Sequence, residues 1–135
     1  MCLVTIPNAR KQIANKDIIV YKVIDKIENN IVISFSEYFK YSWNKLYIAI
    51  LTPKIKELGS FVYWDNTVEQ WIRNSKLTIF LTVDEGFHSM KTLDRMPYTR
   101  GHLVVKCTIP KGSEYYKDQT GLIVSNQIVI NEVIQ

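Results

Sequence analysis

Short apolar runs rich in β-branched residues alternate with polar breaks along this chain, and the breaks come too often for long helices. Residues 17–24 (DIIVYKVI) read as a core strand that stops at the charged pair Asp25-Lys26. Glu28-Asn29-Asn30 is a turn signal, and Ile31, Ile33 and Phe35 then alternate with Val32 and Ser34 as a hairpin partner. Residues 46–51 form a further strand closed by Thr52-Pro53, and Gly59 precedes another over residues 61–64. Residues 77–83 (LTIFLTV) make the clearest strand of the middle region, ended by Asp84-Glu85-Gly86. The last third gives strands over 102–109, 122–125 and 127–134. Tyr115 and Tyr116 point opposite ways in the strand that follows the Pro110-Lys111-Gly112 turn.

Two stretches carry a different period. Asp65 or Asn66 caps a short helix through Val68, Trp71 and Ile72, and Met90, Leu93 and Met96 recur at helical spacing until Pro97 stops them. Many strands with one or two short helices predict an α+β fold: a single domain over residues 1–135, mostly antiparallel β-sheet, with the helices covering one face or end.

Composition narrows the function classes without choosing among them. At 135 residues with 47% apolar positions the chain can bury a core without disulfides or a structural metal. No apolar run reaches the roughly 20 residues that a membrane helix needs, and no signal-peptide pattern opens the chain, so the expected address is the cytoplasm. Cys2 and Cys107 read as reduced thiols, with Cys107 buried in an alternating apolar segment. The net charge of +4 is spread along the chain; it suits an anionic ligand, and the absence of a dense basic stripe disfavours duplex DNA.

P-loop, GxGxxG, HExxH and GxSxG signatures are absent, as is any Cys/His cluster at metal-ligand spacing. No catalytic residue, metal ligand or cofactor is therefore assigned. His88 and Ser89 follow the Gly86 turn, where an imidazole and a hydroxyl can meet an anionic group; the competing reading of His88 is a structural histidine. Lys106, Lys111 and Ser113 supply donors around Pro110-Lys111-Gly112-Ser113, a sequence that an ordinary turn also needs. Tyr21 or Tyr115 would stack against a base. The rings from Phe35 to Trp43 suit a base equally, or the filling of a small β-rich core.

The segments IVYKVI, EGFHSMKTL, VVKCTIPKGSEYYKD and GLIVSNQIVINEVI together resemble small uncharacterised proteins of phages and mobile elements of gut bacteria. That resemblance implies a context in which small proteins bind and block a host component or sequester a nucleotide signal. Tyr21-Lys22, Phe87-His88-Ser89 and residues 109–113 also resemble, more faintly, the strands that line the nucleotide cleft of ADP-ribosyltransferase folds. The family's late-strand glutamate motif has no counterpart in residues 122–127, and Glu132 lies near the end of the chain. The expectation is thus a non-enzymatic binding protein of phage or mobile-element origin. Its partner is a nucleotide-like anionic ligand or a host protein, held by Tyr21, His88, Ser89, Lys106, Lys111, Ser113 and Tyr115. The alternatives are an ADP-ribosyltransferase-like enzyme using NAD, and a protein-interaction or assembly module presenting rings such as Tyr63, Trp64 and Trp71.

Overall fold

A computed structural model describes residues 3–5, 10–34, 39–58, 61–65, 68–74, 78–83, 85–92, 103–118 and 121–134. Among them every regular element is a strand, so the fold is all-β and the α+β expectation is corrected. The strands are β1 (Leu3–Thr5), β2 (Gln12–Ile13), β3 (Ile18–Glu28), β4 (Ile31–Ser34), β5 (Lys40–Ser42), β6 (Leu46–Ile48), β7 (Pro53–Leu58) and β8 (Phe61–Asp65). They continue with β9 (Gln70–Asn74), β10 (Thr78–Val83), β11 (Phe87–Met90), β12 (Leu103–Ile109), β13 (Glu114–Lys117), β14 (Leu122–Ser125) and β15 (Gln127–Val133).

Where the two expected helices fall on described residues, a partner strand is available and no helix forms. Trp71 and Ile72 sit in β9, paired antiparallel with β8, where a ring and a β-branched side chain fit the pleat better than a helix turn. Met90 belongs to β11, held between β14 and β3, with Phe87 and Ser89 turned inward at period two. Leu93, Met96 and Pro97 lie outside the described residues.

The main sheet has ten strands, all antiparallel, in the order β2-β13-β14-β11-β3-β12-β15-β6, with β4 and β5 added beside the far half of β3. The β3–β4 hairpin turns on Asn29 and Asn30, whose φ values of 49° and 63° are those of a type I′ turn. Alternation then fixes the inner face: Val20, Lys22 and Ile24 from β3, Val105, Cys107 and Ile109 from β12, and Ile128 and Ile130 from β15 are all buried. Phe87, Ile123, Val32 and Tyr41 complete this core. Each such Val or Ile contributes ~1.5–3 kcal/mol through its removal from water.

β14 and β15 are one nearly unbroken run of chain that serves two places in the sheet, three strands apart. The corner is Asn126. Its N–H donates to the Glu114 carbonyl at 3.0 Å, its Oδ1 accepts from the Glu114 N–H at 2.9 Å, and its carbonyl accepts from Ala49 N–H at 2.8 Å. These bonds draw the β13 side and the β6 side toward each other, so the sheet is rolled around its core.

A three-stranded sheet, β1-β10-β7, packs on the outer face of β13 and β14. Val83, Leu81 and Leu51 meet Tyr116, Val124 and Leu122 there. β14 is thus covered on both faces, as its unbroken apolar run requires. β8 and β9, which lie between β7 and β10 in the chain, form a separate two-stranded ribbon that pairs only with itself among the described residues. We call this ribbon the arm.

Candidate functional site

The expected site residues fall into two groups at different places on the sheet. Tyr21 on β3 lies opposite Met90 of β11 on one side and Lys106 of β12 on the other. Lys106 in turn lies opposite Glu132 of β15, and its Nζ is 3.9 Å from a Glu132 carboxylate oxygen. Tyr21, Lys106 and Glu132 therefore form a row across three strands on the outer face. His88 sits on that face two residues before Met90, in register with Val124. Its carbonyl, on the other hand, accepts a hydrogen bond from Lys22.

The second group surrounds the turn after β12. Gly112 has φ 89° and the Ser113 N–H donates to the Pro110 carbonyl at 3.1 Å, which makes residues 110–113 a type II turn. Its other amides are taken as well: Lys111 N–H donates to Asp17 Oδ1 at 2.9 Å, and Gly112 N–H to the Ala14 carbonyl at 2.8 Å. Ser113 is fully buried, its hydroxyl donating to the Pro110 carbonyl at 2.6 Å, with Gln127 Oε1 at 3.2 Å. An anion would find the exposed Lys111 ammonium here but no cradle of amides. Tyr115 packs against the inner core and its hydroxyl donates to Gln12 Oε1 at 2.9 Å, so its ring is engaged within the sheet.

Ser89 faces the opposite way from both groups, into the core. It is 3% exposed, and its Oγ has no hydrogen-bond partner among the described residues. Following the Met90–Tyr21 register back by one residue sets Ser89 beside Lys22. Lys22, named only with Tyr21 as an aromatic-basic pair and not among the expected ligand-binding residues, turns out to be the charged group of the interior: in IVYKVI it occupies the inward position between Val20 and Ile24. Its Nζ donates to the His88 carbonyl at 2.6 Å and stands 6.0 Å from the centre of the Tyr41 ring. An ammonium in a core needs such partners, because its desolvation is otherwise expensive. Cys107 shares this interior; burial pushes its thiol up to about 12, with the Lys22 charge pulling in the opposite direction. A thiol held protonated is a poor nucleophile, which makes Cys107 a packing residue.

Among the described residues no group of three or more His, Cys, Asp or Glu converges on a point that could hold a metal ion, and no helix is long and apolar enough to cross a membrane. Exposed apolar side chains are the more telling surface feature. Trp71, on β9 of the arm, is 68% exposed, and Val68, just before β9, is exposed as well. Trp71 had been expected on a helix; as a strand residue it stands in register with Trp64. Compared with known proteins, the chain matches no family model, no curated protein and no solved structure.

Proposed function

We propose that this chain is a non-enzymatic binding protein, of the phage or mobile-element kind its sequence resembles, that engages another macromolecule through its arm. The observation that carries this reading is Trp71, a large ring 68% exposed on a two-stranded ribbon that stands apart from the main sheet. Isolated two-stranded ribbons are marginal in water, and Trp is a residue type that anchors interfaces. The dispersal of the anion-binding candidates supports a macromolecular partner over a small ligand, since Lys111 and Ser113 do not face the Tyr21–Lys106 row.

A photo-activated cross-linking residue placed at Trp71, in the cells that make the protein, should yield one discrete adduct. The same residue at the exposed Lys91 should not. Equal adducts from both positions, or none from position 71, would remove the arm as the docking element.

A second reading has one observation in its favour. Glu132 stands in the row with Lys106 and Tyr21, which gives the ADP-ribosyltransferase-like alternative a carboxylate on the face that its nucleotide would occupy. On that reading millimolar NAD or ADP-ribose raises the melting temperature of the wild type and not of Lys106→Ala. An unchanged melting temperature of the wild type with both nucleotides discards it.

A further inference from the structure

β6 is the last strand of the main sheet, and its outer edge pairs with nothing among the described residues. Edge strands are ordinarily blunted by charge, proline or a bulge, because their unpaired amides and carbonyls invite another strand. Here the run Leu46-Tyr47-Ile48-Ala49-Ile50-Leu51-Thr52 carries no charge, and proline comes only at Pro53. Leu46, Ile48 and Ile50 are 45%, 68% and 78% exposed, an apolar stripe at every second residue.

The hydrogen-bonding phase shows which backbone groups are on offer. Ala49 N–H donates to the Asn126 carbonyl, and β6 continues from there in register with β15: Ile48 with Gln127, Tyr47 with Ile128, Leu46 with Val129. Backbone groups alternate in direction along a strand, so Tyr47 and Ala49 bond to the sheet while Leu46 and Ile48 turn their N–H and C=O groups outward, and the same alternation carried two residues past β6 turns those of Ile50 outward as well. The residues with free edge groups are the same ones that carry the exposed aliphatic side chains.

We infer that β6 is a self-association edge whose occupant is the β6 of a second copy of this chain, paired antiparallel about a two-fold axis through Ile48. In that register Ile48 exchanges both hydrogen bonds with its copy, and Leu46 exchanges both with Ile50 on each side. Six aliphatic side chains then meet on one face, and the two main sheets continue as one. Lys45 and its copy fall at opposite ends of the pairing, away from each other. Nothing along the edge can recognise a phosphate or a carboxylate. What it matches is an uncharged apolar strand of the same phase, and the chain supplies one at equal concentration whenever it is made.

The test is sedimentation of the wild type, Ile48→Lys and Ile13→Lys over a wide concentration range. Ile13 is the exposed aliphatic residue of β2, at the opposite end of the sheet. The wild type and Ile13→Lys should form dimers. Ile48→Lys, which sets two ammonium groups against each other at the axis, should weaken dimerisation on the order of tenfold or more. Ile48→Cys in a Cys2→Ser background should also be joined to its copy by a short bismaleimide, and Ile13→Cys should not, a result that requires no loss of association. A wild type that stays monomeric throughout overturns the inference, as does a dimer that Ile48→Lys leaves intact or that cross-links equally through position 13.

Discussion

Gly86→Ala should be the most damaging single methyl in this protein, lowering stability by ~3 kcal/mol or more. Gly86 has φ 103°, a region that L side chains rarely occupy. A Cβ there would come within 2.9 Å of the Ser125 carbonyl oxygen and of Val124 Cγ2, and closer still to Leu51 Cδ2. The leucine tip can swing aside. The Ser125 carbonyl belongs to the backbone of β14, which is pinned between β13 and β11, and cannot. Gly112→Ala supplies the control, because its φ of 89° is similar while nothing lies within 4 Å of the added carbon. It should cost only the backbone strain, about 1–2 kcal/mol. Denaturant titration of the two variants separates the contributions, and equal losses would show that the contact with β14 is not what Gly86 protects.

The second large effect is expected in alkali. The buried Cys107 thiol has its pKa raised from its ordinary value of 9.0 to about 12. In the unfolded chain it ionises near the ordinary value; in the folded chain it keeps its proton. Between those two points the unfolded state therefore binds fewer protons, and folding stability falls as pH rises. The loss is ~1.4 kcal/mol per pH unit, reaching ~4 kcal/mol by about pH 12, and the thiol adds no pH dependence below 9. Lys22 and Tyr41 face the same interior, so the thiol's share is read as a difference between the wild type and a variant that lacks only the thiol. Urea midpoints at pH 8 and pH 10.5 should drop more steeply for the wild type than for Cys107→Val. Parallel slopes in the two proteins would mean that the thiol is not held protonated by the fold.

Strands were legible in this sequence wherever the inner and outer faces differ in chemistry. Residues 18–24, 103–109 and 127–133 alternate cleanly; the last two were read within a residue of their observed ends, whereas the first, expected to stop at Asp25-Lys26, runs on through the charged pair to Glu28. The misreadings arose where spacing alone had to decide. Met90, Leu93 and Met96 fit a helix on paper, but the pairing of β11 with β14 and β3 depends on segments over 30 residues away in either direction. No local count can see that. Trp71 and Ile72 failed similarly, since their pairing with β8 is not visible in the spacing of residues 68–72 alone.

The site was less legible than the fold. Lys111 and Ser113 have the chemistry of an anion cradle, and what removes the cradle is a set of bonds to Ala14, Asp17 and Gln127 that no turn motif encodes. Lys22 was legible only as the basic half of the pair Tyr21-Lys22; the phase set by Val20 and Ile24 is what turns it inward, away from the face of Tyr21. Residues 46–51 were read as a strand, but nothing in their apolar composition told that Leu46, Ile48 and Ile50 stand exposed. Whether an apolar strand lies in the middle of a sheet or at its rim is a property of the topology.

The corner at Asn126 bears on how the molecule is made as well as on its shape. Residues 122–133 close two gaps at once, filling the place between β13 and β11 and the place between β12 and β6. On the ribosome, synthesised from the N-terminus, β3, β11 and β12 must wait with their apolar inner faces uncovered until that last run has been added. A nascent chain stalled before Leu122 would expose two unfilled edges and an inner face lacking Ile123, Ile128 and Ile130, a species that sticks to its neighbours. The same twelve residues that make the sheet a roll thus set the moment at which folding can begin in earnest.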